Sequence, residues 1–427
     1  MNHTVHLILG SHRHVPFGAP EDEYERIYRT VLKPFLSTLY RYPKIQVTLH
    51  YSGGLLYRME KTHPEIIMLI GDLLSRKQVE ILGGGFHEPM LTLIPMQDKI
   101  GQMEFLTTWL RKQFGRKPQG CWIPGLAWEQ NLVSPLNACG MAYTFLDEGQ
   151  FKSAGLEGRD LYYPCISEDQ GKTITVFPLS GRMKKEFAEK RASVVLKNLA
   201  EELPAGGNCA VSVFPEQLFA EDGPSQPADI TFHKFFEELS RCESYVDFTC
   251  PGKLYRSLTG LKRAYFPDSL GEISDLEPAP GGEYPRSQER VLPRRFIIDT
   301  PEANGIYSKM FFTHLLINQL RGDKSRKQAA REELWKAQGY DLYYPGKYHT
   351  GIGSHTLRKA AYRALLGAEK ITRETGKFLP SLMNFDFDLD GEGEYLFQGE
   401  KINCYVRLKG AGVFELDFLP KPWNYLG

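Results

Sequence analysis

The stretch VHLILGSHRHVP, residues 5–16, decides the fold of the first half of the chain. Its apolar run Val5–Leu9 predicts a buried strand, and a loop with two histidines and a proline follows at once. The same order, a short apolar run and then a loop of glycine, proline, histidine, aromatic or acidic residues, recurs along the chain. The further runs are Ile45–His50, Val79–Leu82, Gly120–Ile123, Tyr143–Leu146, Thr173–Phe177 and Ala210–Phe214.

Amphipathic segments separate these runs, among them Glu21–Tyr40, Pro64–Lys77 and Lys99–Phe114. Strand and helix patterns that alternate in this way predict an α/β protein in which helices cover a parallel sheet. Because about seven such strands can close on themselves, we expect an irregular (β/α)7 barrel. The functional residues of such a barrel lie in the loops after the strands, at their carboxyl ends.

The rest of the chain changes character twice. Pro278–Pro285 (PAPGGEYP) is rich in proline and glycine and predicts a linker, and Glu302–Lys370 has a helical pattern. From Leu382 to Gly427 the residues alternate as in strands, over a length well below the roughly 100 residues of a β-sandwich. We therefore predict three parts: the barrel in residues 1–277, an adjoining α-helical domain in 286–375, and a truncated C-terminal β segment in 376–427.

Composition and charge exclude several classes of partner. Lysine plus arginine and aspartate plus glutamate each number 52, so nothing favours nucleic acid or an anionic membrane. No apolar run approaches the roughly 18 residues of a membrane-spanning helix. The start MNHTVHLILG lacks the basic region of a signal peptide, and the seven cysteines are dispersed, which favours buried thiols in the cytoplasm. Composition leaves open whether the chain forms a homodimer.

Several motifs follow one another over nearly the whole chain. His12-Arg13-His14-Val15-Pro16 comes after the first predicted strand, and Gly85-Phe86-His87-Glu88-Pro89 comes after the third. The further blocks are Tyr143–Phe151 (YTFLDEGQF), Ala264–Leu276 (AYFPDSLGEISDL), Pro301–Met310 (PEANGIYSKM) and Lys336–Ala360. In this order they resemble glycoside hydrolase family 57, the α-glucan amylases and 4-α-glucanotransferases, whose first two motifs are His-x-His-x-Pro and Gly-Phe-(Tyr/His)-Glu-Pro.

The resemblance implies a (β/α)7 barrel, a helical domain beside its mouth and a C-terminal β-sandwich, of which only the start is expected here. It implies an α-glucan or malto-oligosaccharide ligand. We expect no cofactor, and we expect no metal because the sequence has no HxxxH or HExxH spacing beside its His-x-His pair. The resemblance also implies a set of substrate-binding residues, in which a tyrosine replaces the family's usual tryptophan at the last position. These residues are His12, His14, Glu88, Trp122, Asp341 and Tyr344.

The catalytic positions depart from the family. A retaining glycosidase needs a carboxylate nucleophile and a carboxylic acid. The family's Trp-Leu-Thr-Glu-Arg-Val-Trp block is similar to Trp122–Trp128 (WIPGLAW), where Gly125 takes the place of the nucleophile. At the position of the family's acid we find Val213 and Phe214. We therefore predict a catalytically degenerate glucan-binding protein, a pseudoenzyme.

Two other hypotheses remain open. In one, the chain is an active glucanotransferase or amylase whose carboxylates are relocated, with Glu216, Glu129 or Asp147 as substitutes, or in which the substrate itself assists the reaction. In the other, it is a metal-dependent barrel hydrolase, such as a deacetylase, that uses His12, His14 and an acid.

Ordinary structural roles also compete with these functional ones. Glu88 could cap a helix after Pro89, and Trp122 could belong to the core. Glu129 and Glu216 could be salt-bridge or solvent-facing residues.

Overall fold

A computed structural model describes residues 5–203, 208–215, 228–271, 292–344, 351–373 and 378–426. The chain divides into two compact units. The first comprises Met1–Val15, Pro20–Phe86 and Ile100–Glu272, and the second comprises Pro16–Ala19, His87–Lys99 and Ile273–Gly427. The predicted linker Pro278–Pro285 lies outside the described residues. The three predicted domain boundaries stay predictions.

The first unit is built on a mostly parallel sheet. Its strands are β1 (Val5–Arg13), β2 (Val47–Tyr51), β3 (Val79–Ile81), β4 (Tyr143–Asp147), β5 (Cys165–Asp169), β6 (Lys172–Leu179), β7 (Ala210–Val213) and β8 (Val246–Phe248). Neighbouring strands are hydrogen-bonded in the order β3-β2-β1-β7-β6-β4. Strand β8 also pairs with β1 in parallel, and β5 pairs with β6 in antiparallel fashion.

The predicted α/β class is confirmed, but within the described residues the strand ladders do not close the barrel. Between β3 and β4 only two isolated bridges occur, Gly83 with Cys121 and Gly120 with Tyr143. They stand where the sequence predicts a strand over Gly120–Ile123. Because each bridge joins single residues, this side of the sheet is less regular than the β2-β1-β7 side.

Helices follow most of the strands, as the alternating pattern predicts. Several begin at side-chain caps: Ser52 accepts a hydrogen bond from the amide of Leu55, and Ser180 accepts one from that of Met183. The helices are α1 (Glu21–Ile27), α2 (Lys33–Leu39), α3 (Gly53–Thr62), α4 (Pro64–Ser75), α5 (Met96–Phe114), α6 (Val133–Ala138), α7 (Glu148–Ser153), α8 (Gly181–Glu189), α9 (Ala192–Glu202), α10 (Ala228–Ser240) and α11 (Pro251–Tyr255). A π-helical turn, Tyr28–Leu32, joins α1 to α2.

The second unit combines helices with an antiparallel sheet. Its helices are α12 (Pro293–Asp299), α13 (Pro301–Gln319), α14 (Lys324–Lys336) and α15 (His355–Thr372). Its strands are β9 (Ser381–Phe385), β10 (Glu394–Gln398), β11 (Ile402–Val406), β12 (Val413–Phe418) and β13 (Trp423–Asn424). They are hydrogen-bonded in the order β13-β12-β11-β10-β9, which confirms the predicted C-terminal β segment. Phe312 of α13 packs with Phe387, Leu396 and Tyr405 in a core between helix and sheet.

A fully buried lysine fastens this sheet to its helices. The Nζ atom of Lys309 on α13 lies 2.7 Å from a carboxylate oxygen of Glu369 on α15 and 2.7 Å from one of Asp417 on β12. Although burial lowers the pKa of Lys309, the negative charges of Asp417 and Glu369 hold it well above its usual value. The lysine therefore stays charged and helps to neutralise two buried carboxylates. Glu369 also pairs with Arg373 over 3.2 Å, and Asp417 also accepts a hydrogen bond from Asn424 over 2.8 Å.

No helix in the described part of the chain is long and apolar enough to cross a membrane.

Candidate functional site

Two histidines meet where β1 and β2 end. The parallel ladder places His12 directly beside His50, and their rings stack with centroids 5.2 Å apart and planes inclined by 14°. His12 is half-buried, whereas His50 is fully buried. Strand β1 ends at Arg13, so His14 is the first residue of the following loop. The carboxyl edge of the sheet therefore presents His12 above a buried partner, as expected for a functional residue of an α/β protein.

Trp122 extends this stack. Its ring centroid lies 4.7 Å from that of His12 and 6.1 Å from that of His50. The side chain is only 6 % exposed, so most of its ring face is used inside the protein. Trp122 therefore positions the ring of His12. Its burial agrees with the alternative that it belongs to the core, and its role in sugar binding stays a prediction.

The glycine run after β3 allows the backbone to approach this stack. Gly84 has a φ of +156°, and a Cβ atom there would lie 3.0 Å from Nε2 of His50 and 3.1 Å from the carbonyl oxygen of Trp122. Any side chain at this position would push the histidine or the tryptophan aside. The close approach that the sequence predicts for Gly83–Gly85 thus occurs at Gly84.

At the predicted nucleophile position the chain makes a tight left-handed turn. Gly125 has φ 61° and ψ 9°, and Leu126 also has a positive φ, 48°. The turn is held at its carbonyl groups: the amide of Gly271 donates to Gly125 over 3.0 Å, and Nε2 of Gln150 donates to Leu126 over 2.8 Å. The loop therefore keeps a defined shape although it offers no carboxylate.

At the predicted acid position an aromatic ring fills the interior. Phe214 is 5 % exposed, and its ring lies 4.8 Å from Trp122 and 5.4 Å from Phe145 between centroids. A Cβ atom on Gly10 would lie 2.2 Å from this ring, so the glycine makes room for it. The neighbouring Val213 is buried in β7, in register with Leu9 of β1. Neither residue can transfer a proton.

The acids proposed as substitutes already have structural partners or fall outside the structure. Asp147 caps α7: its Oδ1 accepts a hydrogen bond from the amide of Gln150, whose side chain accepts one from the amide of Asp147. Glu129 is 5 % exposed and accepts a hydrogen bond from Asn131 over 3.1 Å. Glu216 lies outside the described residues. Cys121, beside Trp122, is no alternative nucleophile, because burial raises the pKa of its thiol to about 12.

In the second unit, Glu88 has a backbone that few glutamates adopt. Its φ is +49°, and the residue is fully buried. Its carbonyl oxygen accepts a hydrogen bond of 2.7 Å from the amide of Tyr340, next to an isolated bridge between Pro89 and Gly339. The alternative that Glu88 caps a helix after Pro89 is wrong, because the next helix begins only at Met96. A buried glutamate in a strained conformation favours a functional role instead.

The same bridge brings Glu88 close to two further predicted residues. Asp341 lies in a 3-10 turn over Tyr340–Leu342, and its Oδ2 is 3.8 Å from where a Cβ atom of Gly339 would be. Tyr344 packs edge-on against Tyr340 with centroids 5.8 Å apart, and both Asp341 and Tyr344 are half-buried. Three predicted sugar-binding residues, distant in sequence, thus belong to one part of the second unit.

Sequence reasoning missed His50 as a residue of the site. It is the last residue of a predicted strand and precedes the loop Tyr51–Leu55, so its position at a strand end is a signal that could have found it. Its pairing with His12 depends on the register of β1 and β2, which the sequence alone does not give.

Comparisons with known proteins agree with this fold. The family model "Glycosyl hydrolase family 57" matches residues 3–190, and the model "Alpha-amylase/4-alpha-glucanotransferase, middle domain" matches residues 292–372. The chain is 27 % identical over 452 residues to alpha-amylase 1 of Dictyoglomus thermophilum, covering 99 % of this chain and 65 % of that protein. It is 29 % identical over 460 residues to a 4-alpha-glucanotransferase of Thermococcus kodakarensis, covering 99 % and 66 %. The chain thus spans about two thirds of the length of these relatives.

A solved structure shows the same fold. The 4-alpha-glucanotransferase of Thermococcus litoralis superposes with a TM-score of 0.85 at 23 % identity, over 99 % of this chain and 68 % of that one. The two family models match in chain order, and the relatives align with nearly all of the chain. Residues 3–190 thus match glycoside hydrolase family 57, and the similarity to amylases and 4-alpha-glucanotransferases extends over nearly the whole chain.

Proposed function

We propose that this protein binds an α-glucan, such as a malto-oligosaccharide, and does not cleave it. The relatives named alpha-amylase and 4-alpha-glucanotransferase support the ligand class. The observation on which the loss of cleavage depends is Phe214, whose buried ring lies 4.8 Å from Trp122 at the position of the family's acid. The protein thus keeps side chains that can bind a sugar and lacks the two carboxyl groups that would cleave it.

The chemistry of glycoside cleavage explains why this substitution matters. A retaining enzyme places two carboxyl groups about 5 Å apart, one to attack the anomeric carbon and the other to protonate the leaving oxygen. Gly125 has no side chain with which to attack. Phe214 has no proton to give, and loss of general acid help alone costs roughly 10²–10⁴ in rate. Losing both groups removes the covalent route altogether.

The residues that remain suit the recognition of sugars. His12 is half-buried at the sheet edge and can exchange hydrogen bonds with hydroxyl groups. Glu88 and Asp341 offer carboxylates that accept hydrogen bonds, and Tyr344 is a half-buried ring on which a glucose unit could stack. We assign sugar binding to these residues together with His14, while Trp122 supports His12 from below.

A relocated active site is the weaker alternative. Its described candidates, Asp147 and Glu129, already cap a helix and accept a hydrogen bond from Asn131. Using either as a nucleophile would release those contacts. Glu216 is the candidate that needs its own test, because it lies outside the described residues.

Calorimetric titration with maltose to maltoheptaose tests binding, and chromatography of products from maltotriose tests cleavage. We expect binding in the millimolar range or tighter and no product in a time during which an active relative converts most of the sugar. His12→Ala should weaken binding about 10-fold, the loss of roughly 1.4 kcal/mol expected for one or two hydrogen bonds. The matched control is His233→Ala, which removes an exposed histidine that contacts Tyr42.

Each negative result has a defined meaning. If wild-type protein shows no heat with any of the sugars at about 10 mM, the proposed ligand class is wrong. If it forms products and Glu216→Gln abolishes them, the relocated active site is correct and the pseudoenzyme is not. If His233→Ala weakens binding as much as His12→Ala, the assigned site is wrong.

A further inference from the structure

The second unit contains a cavity that the glucan-binding residues do not use. Its volume is about 490 Å³, within the range of small-molecule sites. It opens between α14, α15 and the short loop Pro16–Ala19, all of which belong to the same unit. The side chains that matter below are Phe17, Glu333, Lys336, His355, Lys359 and Arg363.

Small residues on α15 create this space. Ala360 and Ala364 line the cavity, where longer side chains would fill it. Gly18 lies directly on the helix: its φ is +90°, and a Cβ atom there would be 2.2 Å from Cβ of Ala360. The loop can approach α15 this closely only with glycine at this position, and its neighbour Phe17 is thereby placed at the rim.

One face of α15 gives the cavity its charge. His355, Lys359 and Arg363 follow one another at four-residue intervals, so their side chains project from the same side of the helix. Within the described part of the chain, no carboxylate lies within ion-pair distance of Lys359 or Arg363. The lone acid that lines the cavity, Glu333, already pairs with Lys336 over 2.5 Å.

Among the described residues, some surface cations elsewhere in the chain pair with carboxylates, unlike Lys359 and Arg363. Arg182 pairs with Glu202 over 2.8 Å, and Arg241 pairs with Glu237 over 2.8 Å. The whole chain has equal numbers of acidic and basic residues, so carboxylates are not scarce. The local excess of positive charge at Lys359 and Arg363 therefore suits an anion from outside the chain.

Two partly exposed aromatic rings lie beside two lysines of the cavity, Lys336 and Lys359. Phe17 is 37 % exposed, with Nζ of Lys336 lying 5.7 Å from its ring centroid. Trp423 is 38 % exposed, with Nζ of Lys359 lying 5.1 Å from its centroid. Flat apolar rings beside cations match a ligand that has both a charged group and a ring with an apolar face.

We propose that this cavity binds a hexose phosphate. Lys359 and Arg363 hold the phosphate through charge-assisted hydrogen bonds, and the sugar ring lies against Phe17. The carboxylate of Glu333 accepts hydrogen bonds from sugar hydroxyls and disfavours a longer polyanion such as nucleic acid. This site uses none of the residues assigned to glucan binding and does not depend on that assignment.

The test is calorimetric titration of the whole chain, at low salt, with glucose 6-phosphate, glucose and inorganic phosphate in separate runs. Glucose 6-phosphate should bind with a submillimolar Kd and at least about 10-fold more tightly than glucose or phosphate. Raising NaCl from about 50 to about 500 mM should weaken it, because the phosphate contacts are partly screened. Lys359→Gln and Arg363→Gln should each weaken glucose 6-phosphate about 10-fold without changing the thermal midpoint.

Lys324→Gln is the matched control, because Lys324 is an exposed cation on α14 that does not line the cavity. It should bind glucose 6-phosphate like the wild type. Phe17→Ala should weaken glucose 6-phosphate but leave the binding of inorganic phosphate unchanged. Equal affinity for phosphate and glucose 6-phosphate, unchanged binding in both cavity variants, or no binding at about 10 mM ligand would each overturn the proposal.

Discussion

Replacing Phe214 with aspartate tests whether the predicted acid position can hold a carboxylate. The ring is 5 % exposed and lies among Trp122, Phe145 and Gly10, so its removal leaves a cavity lined by aromatic rings. Truncation of a buried phenylalanine costs about 3–5 kcal/mol. A carboxylate in the same apolar space adds a desolvation penalty at neutral pH. We therefore expect Phe214→Asp to be destabilised by more than about 4 kcal/mol at pH 8.

Urea unfolding followed by tryptophan fluorescence measures this effect, because Trp122 is a direct neighbour of the ring. Phe214→Leu should lose about 1 kcal/mol and Phe214→Ala about 3–5 kcal/mol. Phe214→Asp should lie below both at pH 8 and approach Phe214→Ala as the pH falls and the aspartate is protonated. Met68→Asp places a charge on an exposed position of α4, 71 % accessible, and should change stability by less than about 0.5 kcal/mol. A loss below about 1 kcal/mol for Phe214→Asp would refute the packing argument.

Three further predictions concern other buried or strained positions. Burial raises the pKa of Glu80 to about 7, so between pH 4.5 and 7 the folded state keeps a proton that the unfolded chain releases, and stability falls as the pH rises. Glu80→Gln should abolish this fall and be more stable than wild type at pH 8 by up to about 3 kcal/mol, with little difference near pH 4.5. Lys309→Met leaves Asp417 buried without its cation and Glu369 with Arg373 alone, and should cost about 3–5 kcal/mol in chemical unfolding. Gly125→Glu restores a carboxylate at a φ of 61° and should cost roughly 1–2 kcal/mol without producing sugar cleavage in the maltotriose assay.

Separate outcomes would contradict these three predictions. Parallel pH–stability curves for wild type and Glu80→Gln would show that Glu80 does not titrate in this range. A loss in Lys309→Met no larger than that in Lys324→Met, an exposed control, would show that the buried ion pairs are unimportant. Cleavage of maltotriose by Gly125→Glu would show that a proton donor is still present despite Phe214.

Local sequence patterns predicted the strands of the first unit well. The runs around Val5–Leu9 and Tyr143–Leu146 became strands, because buried parallel strands leave an unmistakable apolar signature. The strand-end rule also located His12 correctly at the carboxyl edge of the sheet. The run Gly120–Ile123, in contrast, did not become a regular strand. It forms two isolated bridges, one with Gly83 and one with Tyr143.

What the sequence could not give was the pairing of distant segments. His50 joins His12 because of the strand register, and Glu88 approaches Asp341 through the bridge between Pro89 and Gly339. Neither contact leaves a local pattern, so the sequence left a helix cap as a competing explanation for Glu88. The depth of burial of Trp122 was likewise invisible, because an aromatic residue at a strand end can either face a ligand or support its neighbour.

The ion pairs of Lys309 limit how the second unit can be divided. One carboxylate partner comes from α15 and the other from β12, so a helix and the sheet together neutralise the buried charge of Lys309. A truncation between residues 373 and 378 would remove Asp417 and leave the ammonium group of Lys309 with half of its compensation in an opened core. The isolated helical part should therefore aggregate rather than fold. For recombinant work, the smallest useful fragment of this unit must retain β12.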